Sequence, residues 1–330
     1  MVDVAAAYAS CARDARTHYE NFPVASRLVP RDMRHHVAAV YAFARAADDF
    51  ADEGQRPIQE RHRLLDGWLC RLRDAVSESD LSTRPVAPGE PSNTHDIFVA
   101  LGATIRDKDL PPSLFEDLLS AFRQDVTVGR YGSWADVMDY CRRSANPIGR
   151  LVLRIAGYRD AQLDGWSDSI CSALQLTNFW QDLKIDFDRG RIYLPDEEMR
   201  VHGASAADLA GSVLTPAWIR AAASAVRRTR TLMDDGRPLC DAVRGRLGYE
   251  LRATWLGGTR ILDRLEAAGY DMIHRRPSLG PADVPWLAWR MLAWSLVGPV
   301  RRAHGPSTLR EPQGRREQGR GTTGSGQGEP

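Results

Sequence analysis

The sequence predicts an all-α protein. Ala-, Leu- and Arg-rich segments whose apolar residues recur three and four positions apart fill most of the 330 residues. Apolar–polar alternation of the kind that marks half-buried strands is absent. The breaks between the periodic segments carry Pro and Gly, which punctuate helices.

The elements follow in order. Pro30 and Asp32 open a helix that runs through Tyr41 and Asp48 to about Glu53, with Gly54 as its stop. A second helix fits Ile58 to Ser77. Residues 79–93, with Pro85, Pro88, Gly89 and Pro91, form a surface loop. Further helices fit 94–107, 112–127, 133–144 and 147–157, and a long one spans roughly 160–187. After the turn "RGRIYLP" come helices near 215–234, 238–268 and 284–298. The last of these, "VPWLAWRMLAWSLVG", places Trp286, Trp289 and Trp294 in one short segment. It either closes the core or lies at a membrane interface, where tryptophan is favoured. From about residue 304 the chain lacks apolar anchors and is expected to be disordered. No internal linker is visible, so 1–303 are expected to form one all-α domain and 304–330 a tail.

Composition excludes several classes. With 44 Lys and Arg against 43 Asp and Glu there is no global field drawing the chain to nucleic acid. Five scattered cysteines without a CxxC argue for a reducing compartment and against a disulfide framework or zinc site. The eight histidines show no metal spacing. No signal pattern opens the chain, and the most apolar late stretch is short and interrupted by Arg290. A cytoplasmic protein is expected, with peripheral contact at the inner face of the plasma membrane as the alternative that the Trp-rich segment raises.

Two acidic motifs carry the chemistry. "ARAADDFADE" (44–53) places Asp48, Asp49 and Asp52 close together on a helix, and Asp48 and Asp52 are four apart. Like charges at that spacing repel by about 0.2–0.5 kcal/mol per pair, so something should compensate. "NFWQDLKID" (178–186) repeats the pattern, with Asn178, Asp182 and Asp186 stacked along one face over two turns. One acidic stripe is ordinarily a solvated face. Two matched ladders embedded in bulky apolar sequence point to Mg²⁺, which is held by a few carboxylates together with waters and substrate phosphate oxygens. Facing ladders would then make a diphosphate a leaving group. Arg45 shares the first face, Lys184 lies within the second ladder, and Arg189 and Arg191 follow it. All four are candidates to grip diphosphate oxygens.

"YAFARAADDFADE", "YCRRSANPIGRLVL" and "NFWQDLKIDFDRGRIYLP" together resemble the squalene/phytoene synthase family of head-to-head prenyltransferases, over roughly residues 10–275 and in the family's order. The resemblance implies helices around a deep apolar cavity, the isoprenoid synthase fold. It maps metal-binding aspartates onto Asp48, Asp49, Asp52, Asp182 and Asp186. The family's arginine before the first motif falls on Arg45, and its polar second-helix positions fall on Gln175 and Asn178. Its catalytic-region tyrosine falls on Tyr140, with Tyr41 at another cavity position. His18, Asn21 and Phe22, in "HYENFP", fall at the substrate diphosphate side.

Three departures make the chain similar to the bacterial hydroxysqualene synthase branch (HpnC type) of hopanoid biosynthesis. Where most members read Val-Ala-Gly after the "YC" pair, this chain has Ser144-Ala145-Asn146. The usual Ser-Phe is Asn21-Phe22, and a late Tyr is replaced by Gly257-Gly258. The resemblance implies ionisation of presqualene diphosphate and capture of the carbocation by water. Asn146 is the candidate to position that water, or else to cap the helix that Pro147 opens. Tyr140 and Tyr41 would face cationic intermediates, each ring worth about 0.5–2 kcal/mol. Related expectations are a presqualene diphosphate, squalene or phytoene synthase joining two farnesyl or other prenyl diphosphates, or an assembly-factor-like relative with degraded motifs. A partner presqualene diphosphate synthase is a further expectation.

Overall fold

The computed structural model describes residues 3–17, 28–52, 54–77, 84–211, 213–274 and 276–294. His18, Asn21, Phe22 and the tail from 304 lie outside the described residues. Among the described residues there is no strand, only an isolated bridge between Arg130 and Ile192.

The chain opens with a helix that the periodicity did not announce, α1 (Val4–Thr17). Its buried seam is Ala7, Cys11 and Ala15, all small, so the bulky apolar stripe that normally signals a helix is missing. The small seam lets α1 approach both α2 (Arg34–Asp52) and α4 (Thr94–Lys108). Between them in sequence lies α3 (Ile58–Val76), and α5 (Pro112–Asp125) follows. These five helices enclose an aromatic core in which Phe43, Phe98 and Phe115 meet edge to face and Trp68 packs on Phe43, Phe50 and Phe98.

A capping box starts α6 (Trp134–Ser144), where Ser133 and Asp136 satisfy each other's backbone N–H groups. Then come α7 (Asn146–Ile155) and α8 (Ala161–Gln181), the latter capped by Asp160. The long helix expected over 160–187 breaks at Asp182, whose φ of −100° and ψ of 11° leave the helical region; α9 (Leu183–Asp188) continues beyond it. After α10 (Asp196–His202), which the sequence reading passed over, α11 (Pro216–Gly236) packs along α8. Their crossing is close at Gly236, where a Cβ would sit 2.7 Å from the Trp166 carbonyl oxygen. The helix expected over 238–268 also divides, into α12 (Leu239–Ala242) and α13 (Gly245–Ala267). Val243 and Arg244 are extended between them and Gly245 takes a φ of +69° that favours glycine. A second aromatic core joins α6, α8 and α11 around Trp134, Trp180 and Trp218.

The Trp-rich segment forms α14 (Asp283–Leu292). Trp294, just after the helix, is buried edge to face on Trp255 and donates to Asp241 Oδ1 at 2.6 Å. Val284, Trp289 and Leu292 are exposed. Asp283, buried under Arg260 and Arg264, ties the helix start to α13. No helix of the described residues is long and apolar enough to cross a membrane.

Candidate active site

Two cavities meet inside the helix array. One is apolar, about 380 Å³, and walled by Met33 just before α2, Val37 of α2, Phe122 of α5, Ile148 and Val152 of α7, Ile170 and Leu174 of α8, and Leu247 and Leu251 of α13. The other is polar, about 200 Å³, and contains Asp48, Asp52, Asp125, Asp182 and Asp186 together with Arg189 and Arg191. Asp48, Tyr140, Gln175 and Asn178 line both, so the carboxylate pocket opens onto the greasy one. The two ladders therefore face a common space, as their matched spacing predicts.

Helix geometry places them there. In α2 the residues preceding Asp48 and Asp52 are buried in the aromatic core, which leaves the acidic face of the last turns toward the pocket. In α8, Leu176, Phe179 and Trp180 are buried while Gln175 and Asn178 turn to the cavities. The break at Asp182 keeps the i to i−4 bonding, since Asp182 N–H reaches Asn178 O at 2.9 Å and Asp186 N–H reaches Asp182 O at 2.8 Å. The segment after α9 is pinned to the loop before α6 by the Ile192 N–H, which donates to Gly129 O at 2.8 Å. That pin carries Arg191 and Tyr193 into the pocket, where Tyr193 stacks on Phe179 with centroids 3.6 Å apart.

Arginines neutralise part of the acidic charge. Arg191 and Arg189 pair with Asp52 at 2.6 and 3.2 Å, and Arg276 pairs with Asp182 at 2.5 Å. Burial still bears on two of the remaining carboxyls. Burial and the neighbouring Asp182 raise the Asp186 carboxyl to about 6. Burial raises Asp125 to about 7, against the opposing effect of the Tyr140 hydroxyl, which donates to its Oδ2 at 2.8 Å. Desolvation likewise pushes the Tyr140 phenol well above its ordinary value, so it stays protonated.

These shifts fix a pH dependence. Between about pH 4 and 7 the folded Asp125 holds a proton that the unfolded chain has lost, so raising the pH through that window removes stability. Without divalent cations the protein is expected to unfold at a higher denaturant concentration at pH 5.5 than at pH 8. Asp125→Asn should flatten that difference, and a pH series of denaturation midpoints measures it.

The structure brings together Asp48, Asp52, Asp182, Asp186, Gln175, Asn178, Tyr140, Arg189 and Arg191. Other expected residues lie elsewhere. Asp49 pairs with Arg45 at 2.7 Å and neither lines a cavity; Arg45 also reaches Asp48 at 3.6 Å. Lys184 turns to Asp188 one turn on. Tyr41 packs against the first core. Asn146 neither caps its helix nor enters a cavity. It is buried between α7 and α8, where its Oδ1 accepts from Ser172 Oγ at 2.9 Å. Asp125, Tyr193 and Arg276 were missed. Asp125 did carry a signal, since an acid in the last turn of α5 opposes the helix dipole.

The donor set suits Mg²⁺. Five carboxylates and the side-chain amides of Gln175 and Asn178 line one small pocket whose negative charge is only partly met, and hard oxygen donors are what this ion takes. Among the described residues no group of three or more His, Cys, Asp or Glu side chains is arranged so that it could hold a metal ion by itself.

Comparison with known proteins agrees with this geometry. Residues 15–283 match the sequence profile described as squalene/phytoene synthase. A hydroxysqualene synthase of Rhodopseudomonas palustris is 33% identical over 307 residues, covering 92% of this chain and 98% of its own. A hydroxysqualene synthase of Zymomonas mobilis is 35% identical over 235 residues, covering 70% and 74%. The crystal structure of squalene synthase HpnC from Alicyclobacillus acidocaldarius is 38% identical and superimposes with a TM-score of 0.72 over 81% of this chain and 95% of that one. A dehydrosqualene synthase in complex with ligand shares the fold at 19% identity, with a TM-score of 0.75 over 89% and 98%.

Proposed function

The chain belongs to the squalene/phytoene synthase family, and we propose that within it this protein converts presqualene diphosphate to hydroxysqualene and diphosphate. The observation that carries the reading is the carboxylate pocket opening onto the apolar cavity through Asp48, Tyr140, Gln175 and Asn178. A substrate with a diphosphate head and hydrocarbon chains matches that junction. The similarity to proteins named hydroxysqualene synthase supports the water-quenched outcome.

Asp48, Asp52, Asp182 and Asp186, with Asn178, would hold Mg²⁺, which supplies Lewis-acid stabilisation of the departing diphosphate. Arg189 and Arg191 bind its oxygens, Arg being suited to bidentate contacts. The Tyr140 ring, at the boundary between the cavities, faces the carbocation. The apolar walls keep bulk water from the cation, so capture requires a held water rather than random access.

Incubation with presqualene diphosphate and Mg²⁺, with and without NADPH, followed by mass spectrometry, tests the reading. Hydroxysqualene formed without NADPH is the expected result, and no turnover of presqualene diphosphate would overturn it. The 38% identity to a protein named squalene synthase favours one second reading, in which hydride from NADPH gives squalene. A hydrocarbon formed only with NADPH would select that reading instead.

A further inference from the structure

We propose that Ser144 holds the water molecule that captures the carbocation, and so determines that the product is an alcohol. The inference rests on the proposed conversion of presqualene diphosphate and deepens it. Ser144 is the last residue of α6 and lines the apolar cavity. Its Oγ is buried and has no hydrogen-bond partner among the described residues. A serine in a helix ordinarily satisfies its hydroxyl on the carbonyl four residues back, and a buried hydroxyl left without a partner is costly. A polar atom kept unsatisfied at an apolar cavity wall marks a place for a small polar ligand.

Water suits that place. Ser144 lies four residues after Tyr140, so the two side chains share one face of α6, and both line the same cavity. A bound water needs two or more polar partners, and the Ser144 and Tyr140 hydroxyls offer two from one helix face. The neighbouring Asn146, the more obvious candidate by sequence, has its oxygen committed to Ser172.

The step balances as follows. A lone pair of the water forms the C–O bond to the cationic carbon. The resulting oxonium loses one proton to the Tyr140 oxygen, while Tyr140 passes its own proton to Asp125 Oδ2, to which it already donates at 2.8 Å. The relay starts from ionised Asp125, the form held above about pH 7, and ends with Asp125 as the neutral acid.

The test is the share of hydroxysqualene formed per diphosphate released, in the wild type and in Ser144→Val, Ser144→Ala and Ser144→Thr. The share is expected to fall about three- to tenfold in the Val and Ala variants, the worth of one hydrogen bond, and to be retained by Thr. A merely structural role would lower release and alcohol in step and leave the share unchanged, which overturns the proposal. Ser144→Ala removes an unsatisfied polar atom, so its thermal midpoint should not fall, which keeps the test open if valine disturbs packing. A wild type that releases diphosphate without any alcohol overturns the underlying function and this inference with it. Alcohol from the wild type with an unchanged share in both the Val and Ala variants overturns the role of Ser144 alone.

Discussion

Replacing Asp182 by alanine is expected to slow diphosphate release from presqualene diphosphate by roughly 10²–10³-fold, the usual cost of removing one group that stabilises developing charge in a water-poor site. Asp182 sits where α8 breaks, in the pocket that also holds Asp48, Asp52 and Asp186, so its carboxylate faces the other ladder. Asp49→Ala provides the contrast. Asp49 is one bond along the backbone from Asp48 but pairs with Arg45 and lines neither cavity, so its loss should cost no more than about threefold, the worth of a partly exposed ion pair. Rapid-quench measurement of diphosphate release separates the two. The wild type should also gain stability from Mg²⁺ with inorganic diphosphate, by about 2.7 kcal/mol at a ligand concentration 100-fold above Kd, whereas Asp182→Ala should lose most of that gain. Release from Asp182→Ala at the wild-type rate would remove the ladders from the mechanism.

The contrast between Asp48 and Asp49 marks how far the sequence could be read. Spacing of four along a helix is a local property, so the ladders Asp48/Asp52 and Asn178/Asp182/Asp186 were legible, as were the helices around them. The rotation of each helix against its neighbours is not local. It decides that Asp48 and Asp52 line the pocket while Asp49 does not, whereas the Arg45–Asp49 and Lys184–Asp188 pairs are i,i+4 contacts within one helix. The same limit hid the fifth carboxylate: Asp125 reaches the pocket only because α5 ends beside Tyr140 and Arg191. Helix breaks were missed for a related reason. Asp182 and Val243–Arg244 are not residues that end helices by themselves; tertiary packing bends the chain there, with Gly245 alone giving a local sign. The departure at 144–146 was noticed, but only side-chain placement shows that Ser144, and not Asn146, meets the cavity.

Packing behind the second ladder should matter as much for stability as the ladder does for chemistry. Trp180→Ala is expected to cost about 3–5 kcal/mol of folding free energy, the range for emptying a large buried aromatic site. Trp180 lies between Asn178 and Asp182 in sequence but on the opposite face of α8, almost wholly buried. Its ring meets Trp134 of α6 edge to face at 6.3 Å, and its Nε1 donates to Thr229 Oγ1 of α11 at 2.8 Å. One side chain thus fixes the ladder helix against two others. The Thr229 hydroxyl itself donates to Ala225 O at 2.9 Å, so truncating Trp180 leaves that donor satisfied and the loss is mainly one of packing. Thr229→Val reverses the situation: the volume is kept, but the indole N–H is left buried without an acceptor, for about 1–3 kcal/mol. Because the residues touch, the double variant should cost less than the two single costs added, since no indole remains to be left unsatisfied. Urea denaturation of the four proteins measures the cycle. Additive costs would mean that the indole–hydroxyl bond contributes nothing to holding α8 in place, and that the ladder is positioned by helix packing elsewhere.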